Sequence, residues 1–214
     1  MNDLAMRNRP KMPLRPVLAR ALLNRAVPVA LALALSGCVS LGGGKAPDTL
    51  VTLTPTTVAP AGAVMSGKAD SAIIVLDPET DRRLNVQRIA VQVDDANVAY
   101  LKKALWVERP ARLFRAVLAE TIRAKGARLV FEDADTTATG RTRLAGRLLD
   151  IGYDARTRAA VVRYDAILAA PGGMVLTKRF EARVDTVGAD PKEVGPALNQ
   201  AANEVAKQVA DWVG

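Results

Sequence analysis

Histidine is missing from this chain of 214 residues, and cysteine occurs once, at Cys38. Zinc and iron sites need imidazole or thiolate ligands, and a Ser-His-Asp or Cys-His arrangement needs an imidazole base. The sequence therefore predicts no metal site and no catalytic triad. A disulfide within the chain is also excluded, so the folded part must be held together by its core.

Other catalytic routes are poorly supplied too. The serines beyond residue 37 lie in or beside a stretch rich in Gly, Pro and Thr, where no helix or turn would activate them: Ser40, Ser66 and Ser71. Two facing carboxylates could support glycoside hydrolysis. The candidate acids fall in loop-like stretches at strand ends, where turn and capping roles are commoner: Asp94, Asp95, Glu132, Asp133 and Asp135. With two Trp, three Tyr and three Phe, an aromatic sugar platform is also missing. We predict no catalytic residue and no enzyme.

Long apolar runs are scarce, and the most prominent one covers residues 27–38 (VPVALALALSGC). Its apolar part spans about ten residues, which suits a secretory signal and is short of the ~20 that cross a bilayer. It is preceded by basic residues: Arg7, Arg9, Lys11, Arg15, Arg20 and Arg25. The alternative, a transmembrane anchor with a chance cysteine, is disfavoured by this length.

The end of the run, Ser36-Gly37-Cys38, resembles the lipobox of bacterial lipoproteins. The resemblance implies that residues 1–37 are a signal peptide and that Cys38 carries covalent diacylglyceryl and acyl groups; no other cofactor is expected. A start at Met12 would give a signal of more usual length and remains an open alternative. Val39 after the cysteine, in place of Asp, is compatible with sorting to the outer membrane.

The formal charge of +8 is concentrated in the predicted signal. Removing residues 1–37 takes away six of the 30 basic and one of the 22 acidic residues, which leaves 24 against 21, or +3. That balance is typical of an ordinary solvated surface and has no basic arm. Nucleic-acid binding is therefore not expected.

Residues 38–70 are rich in Gly, Pro, Thr, Ser and Ala, which predicts a flexible tether with one short strand at 49–53. A single folded domain is predicted over residues 71–214. The Gly42-Gly43-Gly44-Lys45 run lacks the ending of a phosphate-binding loop and a preceding strand, so we reject a nucleotide site there.

Periodicity within the domain predicts an α+β fold with a mostly antiparallel sheet. Three consecutive strands, 142–153, 159–168 and 174–184, are joined by short turns and form a meander. Shorter strands are expected at 72–76, 88–93, 98–101 and 128–131. Helices are predicted at about 110–125, from Pro110 to the Gly126 cap, and at 191–212, after an Asp190 N-cap.

Across residues 48–213, this order of elements resembles the ABC-type transport auxiliary lipoproteins, which include the paraquat-inducible protein C type. The resemblance rests on the helix entry Leu105-Trp106-Val107-Glu108-Arg109-Pro110, on the hairpin around ARTRAAVVRYDAIL and on Lys178-Arg179-Phe180-Glu181 before an alanine-rich C-terminal helix. The Val-Glu-Arg-Pro run after Trp106 departs from the shorter, smaller run expected in the family.

The resemblance implies a non-enzymatic subunit of an envelope lipid-transport system, held by its lipid anchor at the outer membrane and facing the periplasm. Its partners would be a periplasmic protein with a mammalian-cell-entry (MCE) domain and, indirectly, an ABC permease and ATPase; a homo-oligomer is a further expectation. Large side chains near a strand–helix junction make Tyr100, Leu101 and Trp106 the predicted partner contacts. Trp106 could instead cap the core. The alternative function is a lipoprotein that itself carries a phospholipid or another apolar ligand between the helix at 113–122 and the meander.

Overall fold

The structure is a computed structural model that describes residues 49–68, 71–132, 141–186 and 188–214. The predicted signal peptide, Cys38, Asp133 and Asp135 lie outside the described residues. The strands are β1 (Ile73–Val75), β2 (Arg88–Gln92), β3 (Val98–Leu105), β4 (Val130–Glu132), β5 (Thr142–Asp154), β6 (Ala159–Ala169) and β7 (Val175–Asp185). The helices are α1 (Pro110–Lys125) and α2 (Pro191–Val213).

The seven strands form one mixed sheet, and this corrects the prediction of a mostly antiparallel one. The meander β5-β6-β7 is antiparallel as predicted, and so is the β2–β3 pair. On the other edge of β5, however, β1 and β2 pair with its two halves in parallel, and β4 pairs in parallel with β1. Short connections force an antiparallel arrangement only between consecutive strands. They carry no information on how β1, β2 and β4, which are distant from their partners in sequence, pair in the sheet.

The meander has one face under the helices and one open face. On β6, the alternate residues Val162, Tyr164 and Ala166 are fully buried under the helices, while Arg163, Asp165 and Ile167 point to the open face. The facing strand β5 changes phase at a bulge between Leu148 and Asp150. Because a bulge adds one residue, the covered positions are even before it and odd after it.

Both helices have the predicted bounds to within one residue. Helix α1 starts at Pro110 and ends where Gly126, with φ +73°, donates its N–H to the Arg123 carbonyl. Helix α2 starts after Asp190, whose carboxylate accepts a hydrogen bond from the Lys192 N–H at 2.8 Å. Each buries one apolar stripe, and α2 can lie close to β6 and β7 because its stripe is largely alanine and valine. Neither helix of the described chain is long and apolar enough to cross a membrane.

An extended segment, residues 51–59, packs on the two helices and is called the strap below. Val51 is bridged to β3 by hydrogen bonds to Leu105 and Val107. Further along, the side chains of Asn199, Asn203 and Glu120 accept hydrogen bonds from the backbone N–H groups of Thr54, Thr56 and Ala59 at 2.7–2.8 Å. The strap falls within the predicted tether of residues 38–70. The strand predicted at 49–53 is present as a single bridged residue, Val51, and the prediction of a flexible chain is corrected for residues 54–59.

Candidate functional site

The open face of the sheet carries a row of alternating charges across four segments of the chain. Asp150 on β5 accepts hydrogen bonds from Arg83 (2.6 Å) and from Arg163 on β6 (2.7 Å), and Arg163 also donates to Glu181 on β7 at 2.7 Å. These side chains are one-quarter to one-third exposed, so the pairs are partly shielded from water. The hydrogen bond that Arg163 donates to Glu181, together with the negative charge of Asp150, outweighs burial and raises the pKa of Arg163.

Next to this row runs a row of small residues that forms the floor of a trough. In the strand registers, Ala90, Gly152 and Val161 face one another on β2, β5 and β6, and Arg183 on β7 ends the row. Glycine is required at the centre, because a Cβ on Gly152 would lie 2.4 Å from the Ala90 carbonyl oxygen. The trough has a volume of about 260 Å³ and is partly open to solvent.

The row of charges forms one wall of the trough, and a tight turn after β5 forms the other. Asp154 accepts hydrogen bonds from the Arg156 backbone N–H and guanidinium at 2.9–3.1 Å, and Arg156 also pairs with Asp95. The Arg156 side chain is the main reason that the pKa of Asp154 lies below its usual range. Both carboxylates on this wall therefore share one arginine, which leaves the wall with a net negative charge.

The three predicted contact residues are separated by the fold. Trp106 is 1% exposed and Leu101 is 7% exposed, and both belong to the core, in agreement with the alternative interpretation of Trp106. Tyr100 is half-buried on the open face, directly opposite Ala90, with the Arg88 guanidinium 4.1 Å from its ring centroid. Only Tyr100 of this set is positioned at the edge of the open face.

The acids considered for catalysis have structural partners. Asp94 accepts hydrogen bonds from the Asn97 side chain and from the backbone of Ala96 and Asn97, and these bonds lower its pKa. Asp95 pairs with Arg156, and Glu132 pairs with Arg115 and Arg123. The arrangement of these three acids is that of turn and surface residues, each satisfied by a neighbour.

An apolar cluster at the turn end of the β6–β7 hairpin was not predicted from the sequence. Its four side chains are 40–59% exposed and are called the hairpin end below: Ile167, Met174, Val175 and Leu176. Ile167 and Val175 share the open face, since they face Thr177 and Ala169 across the strand pair. The signal that could have found them is the Met-Val-Leu run directly after Pro171-Gly172-Gly173, because apolar residues beside a tight turn lie beyond the reach of the helices.

The space between α1 and the meander is filled by side chains. Phe114 on α1 lies edge-on to the ring of Tyr164, with centroids 5.3 Å apart, and both are fully buried. The Tyr164 hydroxyl donates to the Ala145 carbonyl at 2.7 Å, and its burial raises its pKa. This interface is a packed core at the place where a carrier would need a cavity.

Comparison with known proteins places the chain in a family. Residues 52–210 match the ABC-type transport auxiliary lipoprotein component family. A Xanthomonas campestris protein assigned to the DUF330 family has a similar structure, with a TM-score of 0.65 and 16% identity over 77% of this chain and 93% of its own. An uncharacterised protein of solved structure has a TM-score of 0.59 and 11% identity over 78% of this chain and 100% of its own. At such low identities these structures support the fold alone. No curated protein sequence matches the chain. Since the family match covers most of the chain and the resemblance of the sequence agrees with it, this protein belongs to the ABC-type transport auxiliary lipoproteins, which associate with components of ABC-type transport systems.

Proposed function

We propose that the protein is a non-enzymatic adaptor that docks a periplasmic MCE-domain protein of an envelope lipid-transport system, held by lipids on Cys38 at the outer membrane. The observation that carries the proposal is the family match over residues 52–210. It agrees with a folded part whose acids at 94, 95 and 132 serve turns and ion pairs. The permease and ATPase of the system would be contacted through the MCE protein.

The hairpin end is the surface proposed for docking. Exposed apolar side chains that lie next to one another on a soluble domain commonly mark interaction sites. Here, Ile167 and Val175, which are 40% and 58% exposed, lie together on the open face, and the ion pair of Arg179 with Asp165 borders them there. Met174 adjoins them at the turn, and Leu176 lies on the other face of the strand pair. An apolar centre with a charged rim is the usual anatomy of a protein interface.

Tyr100 and its neighbour Val98, which is 41% exposed, represent the contact region predicted from the sequence. They lie on β3, at one edge of the sheet, whereas the hairpin end lies on β6 and β7, at the other edge. The two regions therefore give competing docking surfaces that can be tested by matched substitutions of exposed valines.

The test is capture of the MCE protein from detergent-solubilised membranes by the full chain, with Val175→Lys compared with Val98→Lys. We expect Val175→Lys to reduce recovery of the MCE protein by about tenfold or more, as for an interface residue of hot-spot size. Val98→Lys and Tyr100→Ala should leave recovery unchanged. If Val98→Lys or Tyr100→Ala alone abolishes capture, docking occurs at β3 and the hairpin end is the wrong surface. If wild-type protein captures no MCE protein, the adaptor function is wrong.

The lipid anchor is tested separately through Cys38→Ala. We expect the variant to be released into the periplasm and to lose transport activity, with an unfolding curve equal to that of the unlipidated wild-type domain. An active, membrane-bound Cys38→Ala variant would contradict the anchoring role. Release with full activity would show that anchoring is dispensable for the adaptor.

A further inference from the structure

We propose that the outer edge of β7 binds a second copy of this chain, so that the two β7 strands pair antiparallel about a two-fold axis at Ala182. The proposal goes beyond the adaptor function and does not depend on docking at the hairpin end. Along one side, β7 pairs with β6 through all of residues Val175–Asp185, and no described strand pairs with its other side. An edge strand of this kind presents free backbone N–H and C=O groups to another chain.

Among the described strands, the other two edges of the sheet are shorter or distorted. β4 has three residues, while β3 has a register shift against β2 and a positive φ of 57° at Lys103, next to Lys102. Bulges and lysines are features that keep an edge strand from pairing with another chain. β7 has 11 residues in unbroken register with β6, which is the regular form that strand pairing requires.

The free backbone groups of β7 belong to its odd-numbered residues. At the two ends of the β6–β7 pair, the Thr186 N–H donates to the Arg158 carbonyl and the Ala170 N–H donates to the Met174 carbonyl. Antiparallel strands exchange hydrogen bonds at every second residue, so the even residues of β7 bond to β6 and the odd ones point away from it. A second β7 strand must therefore place odd residues opposite odd residues. In a symmetric pair this requires the axis to pass through a residue of β7.

Two charges on the open face of β7 indicate which residue this is. Arg183 and Asp185 are exposed, and among the described residues neither takes part in an ion pair. With the axis at Ala182, Arg183 lies opposite Glu181 of the second copy. By the same symmetry, Asp185 lies opposite Arg179 of that copy. Both residues thus gain a partner of opposite charge, and such cross-strand pairs stabilise neighbouring strands.

The neighbouring registers lack this match. An axis at Glu181 would place Glu181 opposite itself and Arg179 opposite Arg183, and like charges directly opposite one another are destabilising. An axis at Phe180 would place Arg183 opposite Thr177, which leaves the guanidinium without a carboxylate. The charges of β7 therefore favour the axis at Ala182.

In this register, the alternation of charge on the open face continues from one copy into the other. Within one chain, Asp150, Arg163 and Glu181 alternate in sign across β5, β6 and β7. The positive charge of Arg183 from the second copy comes next in this row. The neighbouring row ends on β7 with the positive charge of Arg179, and a carboxylate of the second copy follows it. The two sheets therefore join without a break in the pattern.

The covered face fits the same axis. Ala182, which is 9% exposed on the face covered by α2, would lie beside its counterpart in the second copy. Its small side chain leaves room for the α2 helices of both copies to approach. On either side of the axis, Phe180 lies opposite Val184 of the second copy, so an apolar pair flanks the axis twice.

The oligomeric state is measured by native mass spectrometry of the full chain, released from maltoside micelles, over a range of protein concentrations. We expect a dimer that dissociates on dilution. Arg183→Glu places carboxylates opposite each other at two positions, because the axis repeats each contact. It should raise the dimer dissociation constant by about tenfold or more. The matched control is Arg143→Glu, which reverses an exposed charge of the open face on β5, away from the edge, and should leave the constant unchanged.

A mixture of two variants tests the register. Glu181→Arg alone should also weaken the dimer, because it places Arg183 opposite a second arginine. In an equimolar mixture of the Arg183→Glu chain and a mass-tagged Glu181→Arg chain, opposite charges face each other again at both contacts. We therefore expect heterodimers in excess over either homodimer. Circular dichroism and the unfolding midpoint of each variant report whether the fold is retained.

A disulfide tests the position of the axis. Ala182→Cys places two thiols at a pair without backbone hydrogen bonds, where the Cα atoms of antiparallel strands are about 4.5 Å apart, within the range that a disulfide spans. This variant should crosslink on mild oxidation, whereas Thr177→Cys, farther along β7, and the wild-type chain should not. A monomer at all concentrations, a dissociation constant unchanged by Arg183→Glu, no excess of heterodimers in the mixture, or crosslinking of Thr177→Cys without Ala182→Cys would overturn the proposal.

Discussion

The two faces of the meander use the same three strands for opposite purposes. Under the helices, Val162, Tyr164 and Phe180 are at most 3% exposed and pack against α1 and α2. On the open face, Arg163 and Asp165 hold their neighbours through ion pairs at 2.6–2.7 Å. Packing against a rigid layer tolerates little change, whereas ion pairs that are partly open to water contribute little to stability and can be exchanged for other residues. The covered face therefore fixes the fold, and the open face is free to carry recognition.

The largest loss of stability is expected from substituting Gly146, the glycine on the covered face of the meander. Gly146 has φ +154°, and a Cβ there would lie 2.1 Å from the Asp165 carbonyl and 2.7 Å from the Tyr164 hydroxyl. We expect Gly146→Ala to lower the free energy of unfolding by about 3 kcal/mol or more, measured by urea denaturation, because neither backbone nor ring can move aside. Gly172→Ala is the control: it shares a positive φ but has no atom within 4 Å, so about 1 kcal/mol is expected. Equal losses would show that backbone conformation, and not contact with the covered face, decides the cost.

A smaller loss of stability is expected from substituting Asn203, a buried polar residue of α2 that binds the strap. The Asn203 side chain, 8% exposed, accepts from the Thr56 N–H at 2.8 Å and donates to the Thr54 carbonyl at 2.9 Å. Replacing it with alanine removes the partner of two strap backbone groups and of the Thr56 hydroxyl, so Asn203→Ala should cost about 2 kcal/mol and speed hydrogen exchange at Thr56. Asn199→Ala, which removes a more exposed acceptor from the Thr54 N–H, should cost less than half of that. Unchanged exchange at Thr56 in Asn203→Ala would show that the strap is held by other contacts.

Much of this fold was predictable because the signals are local. Pro110 and Gly126 delimit α1, Asp190 caps α2, and the Pro171-Gly172-Gly173 turn sets the β6–β7 hairpin. These features depend on a few neighbouring residues, so the sequence contains them directly. The parallel pairing of β1 and β2 with β5 depends on contacts that are distant in sequence, and no turn signal encodes it. The sheet was therefore predicted as mostly antiparallel, although it is mixed.

The candidate sites were harder to predict than the fold. The residues around Trp106 and Tyr100 are similar in type, so the sequence does not distinguish their environments. The packing of the folded sheet places Trp106 in the core and Tyr100 on the open face. The bulge near Leu149 shifts the phase of β5, so a strict alternation through residues 142–153 assigns half of that strand to the wrong face. Beyond the strand predicted at 49–53, the strap was missed for a similar reason: its Thr and Pro residues are typical of linkers, and the asparagines that bind it lie about 145 residues later.

The smallest expected effect is on the open face, where ion pairs depend on pH. Hydrogen bonds from the Arg156 side chain, followed by those from the backbone, hold the pKa of Asp154 below its usual range. A carboxyl group with a lower pKa in the folded state than in the unfolded state stabilises the fold above its ordinary pKa, near 4, and this stabilisation is lost as the pH falls through the lower, folded value. Stability should therefore rise between about pH 2 and pH 5, and Arg156→Gln should flatten that rise because Asp154 then titrates closer to its ordinary pKa.

The effect should be smaller than that of Asn203→Ala, since Arg156 is exposed and water screens the pair. Urea denaturation at stepped pH measures it, with Arg82→Gln as the control at an exposed arginine. If Arg156→Gln lowers stability equally at pH 2 and pH 5, the contribution of Arg156 is packing and not charge, and the open face resembles the covered one more than its composition indicates.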